Sequence, residues 1–135
     1  MNLAGVMDDL GAALAAVPDL RVFPYWTDRL TPPAAIVSWP DPLTYDTSFG
    51  RGSDRCEIPI LIAVATSNAR TARDQMARYA DGSGTHSVKS AIEAHDATSY
   101  DTARVVRVEF GDVLTVASVD YLSATFYVDL TGKGI

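Results

Sequence analysis

Residues 54–80, DRCEIPILIAVATSNARTARDQMARYA, decide how this chain folds. The stretch opens at period two: Cys56, Ile58, Ile60, Ile62 and Val64 share one face of a strand, because successive side chains of an extended chain point to opposite sides. The other face starts as surface with Arg55, Glu57 and Pro59, then turns drier with Leu61, Ala63 and Ala65. At Ser67-Asn68 the period changes to about 3.6, with residues able to cap a helix at the switch. Ala69, Ala72, Met76, Tyr79 and Ala80 then form one apolar stripe, and Arg70, Arg73, Asp74 and Arg78 face water. A strand running into a helix is a scaffold. It leaves open which surface covers the strand's second, half-apolar face.

The length of 135 residues predicts a single domain, 1–135, with 131–135 as a frayed tail. The net charge of −6 is wrong for gripping nucleic acid, which needs clustered Lys and Arg. It suits a surface that nucleic acid slides past, since like charges repel. The single cysteine, Cys56, excludes an intramolecular disulfide and a cysteine-based zinc site, and its strand position predicts a buried thiol. No run reaches the roughly 20 apolar residues of a membrane helix. The first twenty residues carry acids early and lack a basic lead, so no secretion signal is expected and the chain reads as soluble and intracellular.

Upstream, Leu3, Val6, Met7, Leu10, Ala13, Leu14 and Val17 recur at helical spacing behind the capping residue Asn2, with Gly5 and Gly11 weakening the helix and Pro18 stopping it. Residues 21–26 (RVFPYW) read as a strand broken by Pro24, and 34–39 (AAIVSW) as a second. The stretch 40–53, PDPLTYDTSFGRGS, has no period. Its Leu43, Tyr45 and Phe49 suit a loop that docks on another protein.

Downstream, Thr85 or Ser87 is placed to cap a third helix with Val88, Ala91, Ile92 and His95 on one side. Residues 104–110 predict a strand with Val106, Val108 and Phe110 on one face, Gly111-Asp112 a turn, and 113–117 a further strand with Ser118 as a bulge or turn. The last strand, 119–130, alternates: Leu122, Ala124, Phe126, Val128 and Leu130 inward; Tyr121, Ser123, Thr125, Tyr127 and Asp129 outward. The prediction is an α+β fold, a mostly antiparallel sheet with helices packed on one face. On the bare face Leu61, Ala63, Tyr121 and Tyr127 are candidate subunit contacts, since such a row is better covered than wet.

Chemistry-bearing patterns are thin. His86 and His95 lie nine apart, not at the three- or four-residue spacing of helical metal ligands. His95 with Asp96 and Asp101 could imitate a hydrolase site; a helix-end histidine favoured by the helix dipole is the simpler reading. Gly82-Ser83-Gly84-Thr85 lacks the lysine of a phosphate-binding loop, and 82–89 is only a weak ligand module. No catalytic residue, cofactor or metal is expected.

Three segments carry a resemblance: 31–79 (TPPAAIVSWPDPLTYDTSFGRGSDRCEIPILIAVATSNARTARDQMARY), 82–94 (GSGTHSVKSAIEA) and 119–130 (VDYLSATFYVDL). Chiefly through PPAAIV-WP, FGRG-DR-EIP and GSG-SVK-A, the chain resembles the tail terminator (tail completion) proteins of long-tailed phages of actinobacteria. The resemblance covers residues 6–130 and involves no catalytic signature. It implies a structural virion protein of the tail-neck region, made in the host cytoplasm. Such a subunit forms a ring, hexameric in the family, that caps the tail tube and stops its polymerisation. Its partners would be itself, the major tail tube protein and the head-side connector proteins, with genomic DNA passing the lumen unbound. A connector or neck protein of the same virion is the neighbouring reading. On this view Leu43, Tyr45, Phe49 and Arg51 of the long loop are candidate contacts to a neighbour or the tube.

Overall fold

The computed structural model describes residues 1–25, 29, 31–45 and 52–133, with only the backbone at Asp112. Elements follow in the order α1 (Leu3–Leu14), β1 (Arg21–Phe23), β2 (Ala34–Val37), β3 (Leu43–Thr44), β4 (Ser53–Ala65), α2 (Ala69–Ala80), α3 (Val88–Ala94), β5 (Thr102–Val116) and β6 (Val119–Lys133). The fold is α+β. Among the described residues one six-stranded, mostly antiparallel sheet has the order β1-β2-β4-β6-β5, with β3 pairing β4 beyond the end of β2.

β4 is central because one of its faces is almost purely β-branched or apolar. Cys56, Ile58, Ile60, Ile62 and Val64 are buried together with Ala124, Phe126, Val128 and Leu130 of β6, which pairs with β4 from end to end. All three helices lie on this face, contributing Val6, Leu10 and Leu14, then Ala72, Met76 and Tyr79, then Val88 and Ile92. Each such side chain contributes roughly 1.5–3 kcal/mol by leaving water. Pro59 fits inside this central strand because β2 stops at Val37 and β3 starts at Leu43. Its missing N–H forgoes only the reciprocal bond to Ser38, just past the end of β2, while its carbonyl accepts from Ser38 N at 3.1 Å.

The helices begin where expected. Asn2 Oδ1 accepts from Gly5 N, Asn68 Oδ1 from Thr71 N and Ser87 Oγ from Ser90 N, at 3.2, 3.0 and 3.1 Å. The two α1 glycines have a packing reason. A Cβ on Gly5 would stand 2.6 Å from Ser99 Oγ, and one on Gly11 3.0 Å from Pro24 Cβ, so a bulkier helix could not sit so close.

Several expectations are corrected. β1 ends at Phe23 and runs parallel to β2. Trp26 lies outside the described residues. β2 ends at Val37, so Trp39 is not part of the strand. The stretch 40–53 begins by folding back on its own domain: Leu43 pairs with Cys56 and packs against the core. Residues 104–116 are not two strands around a turn but most of one 15-residue strand, β5, bulged between Val105 and Arg107 and between Phe110 and Val113. The first bulge shifts the alternation by one, so Val105 and Val108 both meet the core and Val106 is exposed, whereas Phe110, opposite Ala124, stays on the helix-bearing side and is exposed at the sheet's edge. The chain reverses at Ala117-Ser118, both at positive φ, between the paired Val116 and Val119. Residues 131–133 are strand rather than frayed tail, with Arg55 and Thr102 both paired to Thr131.

Candidate functional site

The bare face of β4 and β6 divides into three zones. At the hairpin end Ala63 and Tyr121 are 1% and 7% exposed, closed over by Leu114 and Val116 as the β5–β6 hairpin coils across them. These two predicted contacts therefore have little surface left to offer a neighbour. Leu61 and Thr125, cross-strand partners in the middle, are half-buried.

The far zone is ionic. Arg55 grips Asp129 with two hydrogen bonds, Nε to Oδ1 at 2.9 Å and Nη2 to Oδ2 at 2.7 Å, which raise the guanidinium's affinity for its proton. Arg107 reaches Glu57 at 3.0 Å and Glu109 at 3.6 Å. Its guanidinium also lies 3.9 Å above the Tyr127 ring centroid. The Tyr127 hydroxyl donates to Glu109 at 2.9 Å, and that bond, with burial second, pushes the phenol up. Tyr127 is thus occupied within its own chain, and among the four predicted residues of this face Leu61 alone keeps an unassigned apolar surface.

The long-loop candidates fare unequally. Leu43 faces the core, Tyr45 is 68% exposed, and Phe49 and Arg51 lie outside the described residues.

Sequence reasoning missed the sheet's two edges. Trp39 and Tyr25, 72% and 64% exposed, stand beside Met7 and Val37 where β1 and β2 end, around a hollow of about 420 Å³. At the β5 edge, Phe110 is 66% exposed and borders a groove of about 420 Å³ with Arg73, Met76 and Ala77 of α2, and Gly111 and Leu122. Val113, paired with Leu122, is exposed beside it. Phe110, opposite Ala124, shares the helix-bearing side with Val108; its exposure comes from the open groove at the β5 edge, which no local sequence pattern announces.

The titratable groups are tied into structure. Cys56 is buried and its thiol is pushed up to about 11, by burial first and then by the charges of Asp129 and Asp54. His95, at the end of α3, has its Nε2 3.8 Å from Asp9 of α1, so the carboxylate at this histidine is Asp9 rather than the expected Asp96 or Asp101. Asp9 also accepts from Ser99 N at 3.0 Å. Burial raises its pKa, but the Ser99 hydrogen bonds and the His95 charge outweigh burial and hold the carboxyl below its ordinary value. Ser87, after the Gly82–Gly84 turn, is used as the cap of α3 and in a hydrogen bond to the Asp81 carbonyl. Among the described residues no group of three or more His, Cys, Asp or Glu is gathered for a metal ion, and no helix is long and apolar enough to cross a membrane.

No family model matches the chain, and no curated protein matches it.

Proposed function

We propose that the chain is a structural, non-enzymatic subunit of a phage tail: a tail terminator whose ring caps the tube, halts its growth and receives the head-side connector. The observation that carries this reading is the exposure of large apolar side chains at both ends of the sheet, Trp39 and Tyr25 at one and Phe110 and Val113 at the other. Aromatic side chains open at two separate places suit a subunit with neighbours on both sides. The quoted sequence segments that resemble tail terminators support the same reading. So does the charge of −6, which keeps DNA from sticking to a lumen it must cross.

The test is electron microscopy of tails assembled with and without the protein. Tubes of defined length ending in a ring are expected with it, and over-long tubes without it. Normal tube length in its absence, with the protein found between ring and capsid, would make it a connector instead. The alternative hydrolase at His95 fails if the variants His95→Ala and Asp101→Ala still assemble normal tails.

A further inference from the structure

We infer that the Lys89–Glu93 pair of α3 is an edge guard: its two side chains hold the backbone of Val105 as a neighbouring strand would, and so close the first run of β5 to strand addition. This goes beyond the proposed function and stands on the subunit alone, whatever the subunit joins.

The two edges of the sheet are unequal. β1 at one end has three residues, too short a row to recruit another chain. β5 at the other has fifteen, and among the described residues it pairs with β6 alone. It therefore turns a second row of backbone N–H and C=O groups away from the sheet, and such a row is a template for any extended chain. Its bulges cut that row into the runs 102–105, 107–110 and 113–116. A bulge twists an edge and breaks its spacing, but each run between bulges keeps its own donors and acceptors.

In the first run those groups are taken. Val105 N donates to Glu93 Oε2 at 3.0 Å, so this N–H belongs to the row that faces away from β6. Lys89 Nζ lies 3.4 Å from the Val105 carbonyl oxygen, a longer and weaker contact. Lys89 and Glu93 are themselves ion-paired, one turn apart on α3. In an antiparallel ladder a hydrogen-bonded residue exchanges both its N–H and its C=O with the residue opposite. Val105 has both, but from one acceptor and one donor on a helix instead of from a strand.

The helix is built to hold the pair in place. Val88 and Ile92, each one residue before a member of the pair, are buried in the core, and Ser87 caps the helix start. Burial raises the pKa of Glu93, but its bonds to Lys89 and to Val105 N outweigh burial and hold the carboxyl below its ordinary value. At neutral pH it is therefore a carboxylate, which only accepts. An incoming strand would have to take Val105 from Glu93 and leave a half-buried charge one bond short, and that loss is what makes the guard effective.

The experiment compares Glu93→Ala with Glu93→Gln in the purified full chain, by amide hydrogen exchange resolved to single residues and by thioflavin T fluorescence during incubation. Gln keeps an oxygen that can accept from Val105 N and loses the charge; Ala loses both. Val37→Ala, a core truncation in β2 away from α3, controls for lost stability. The wild type and Glu93→Gln should protect the Val105 amide. Glu93→Ala should exchange it at least about tenfold faster while the β4 amides stay protected. It should also form thioflavin-positive, strand-paired aggregates sooner than Val37→Ala, each held equally far below its own melting temperature. If Glu93→Ala does not fold, Glu93→Asp, charged but one methylene shorter, serves in its place. A Val105 amide as protected in the shortened variant as in the wild type overturns the inference. So does Glu93→Gln exchanging as fast as that variant, because its acceptor is still present. Aggregation no faster than that of Val37→Ala overturns it as well, and leaves the pair as an ordinary tie between α3 and β5.

Discussion

A thiol held near pKa 11 has a negligible thiolate fraction at neutral pH, and thiolate is the form that attacks. Cys56 sits in β4 beneath α1, its sulfur 3.9 Å from Met1 Sδ, and buried. In the native protein at pH 8 its reaction with a disulfide reagent is expected to be slower than that of a small-molecule thiol by at least about a hundredfold. On adding denaturant it should rise to the ordinary rate. Prompt labelling of the folded chain would mean that α1 opens readily from β4. Cys56 was legible in the sequence because burial of a strand's inner face is a matter of period alone. Tyr127 was not. Its outward position was correctly read, but that Arg107 covers it depends on the bulge after Val105, which brings Arg107 opposite Tyr127.

Elements whose pattern is local were recovered close to their true bounds: β4, α2 and α3 each declare a period, a cap or a break within a dozen residues. The misread element is β5. There Gly111-Asp112 carries turn-forming chemistry, yet fifteen residues of β6 are available for pairing and absorb the interruption as a bulge. The real reversal is made by Ala117-Ser118, residues with no special liking for the left-handed region they occupy, at φ 52° and 66°. Two-residue hairpins of this kind favour Asn-Gly. The pair Ala117→Asn with Ser118→Gly is therefore expected to stabilise the fold by about 1 kcal/mol, measured by urea unfolding. No gain, or a loss, would show that neighbouring contacts and not the turn set the hairpin. A second link between elements is Asp9, which ties α1 to Ser99 and His95. Its carboxyl is depressed in the folded state, so its contribution is fully present above the unfolded value near 3.8 and is lost as pH falls through the lower folded value. Asp9→Asn should cost about 1 kcal/mol at pH 7, and the difference from wild type should shrink as the pH falls through the carboxyl's depressed folded value. A constant difference across that range would mean that the substitution acts through packing.

For the whole molecule, the proposed ring has two candidate contact surfaces: the bare sheet face and the sheet's edges. The face presents half-buried Leu61 between a zone closed by Leu114 and Val116 and a zone of internal ion pairs. Surface ion pairs of this sort contribute little net stability, so they do not drive association, but a neighbour covering them would have to strip their water. The edges present uncovered apolar side chains, Trp39 and Tyr25 at one and Phe110 and Val113 at the other, and need no such stripping. Leu61→Asp separates the two cases. On the free subunit it should cost about 1 kcal/mol or less, since a half-buried, outward strand position tolerates a polar group within the spread of strand propensities. If edges make the contact, self-association of Leu61→Asp by sedimentation matches wild type while Phe110→Asp loses it. If the face makes the contact, the ranking reverses: a buried aspartate at a subunit boundary is desolvated without a partner, and assembly fails while the monomer still melts near the wild-type temperature. The edge assignment predicts the first result, and leaves the face with Leu61, Thr125 and the Arg55–Asp129 and Arg107–Glu57 pairs turned away from neighbouring subunits.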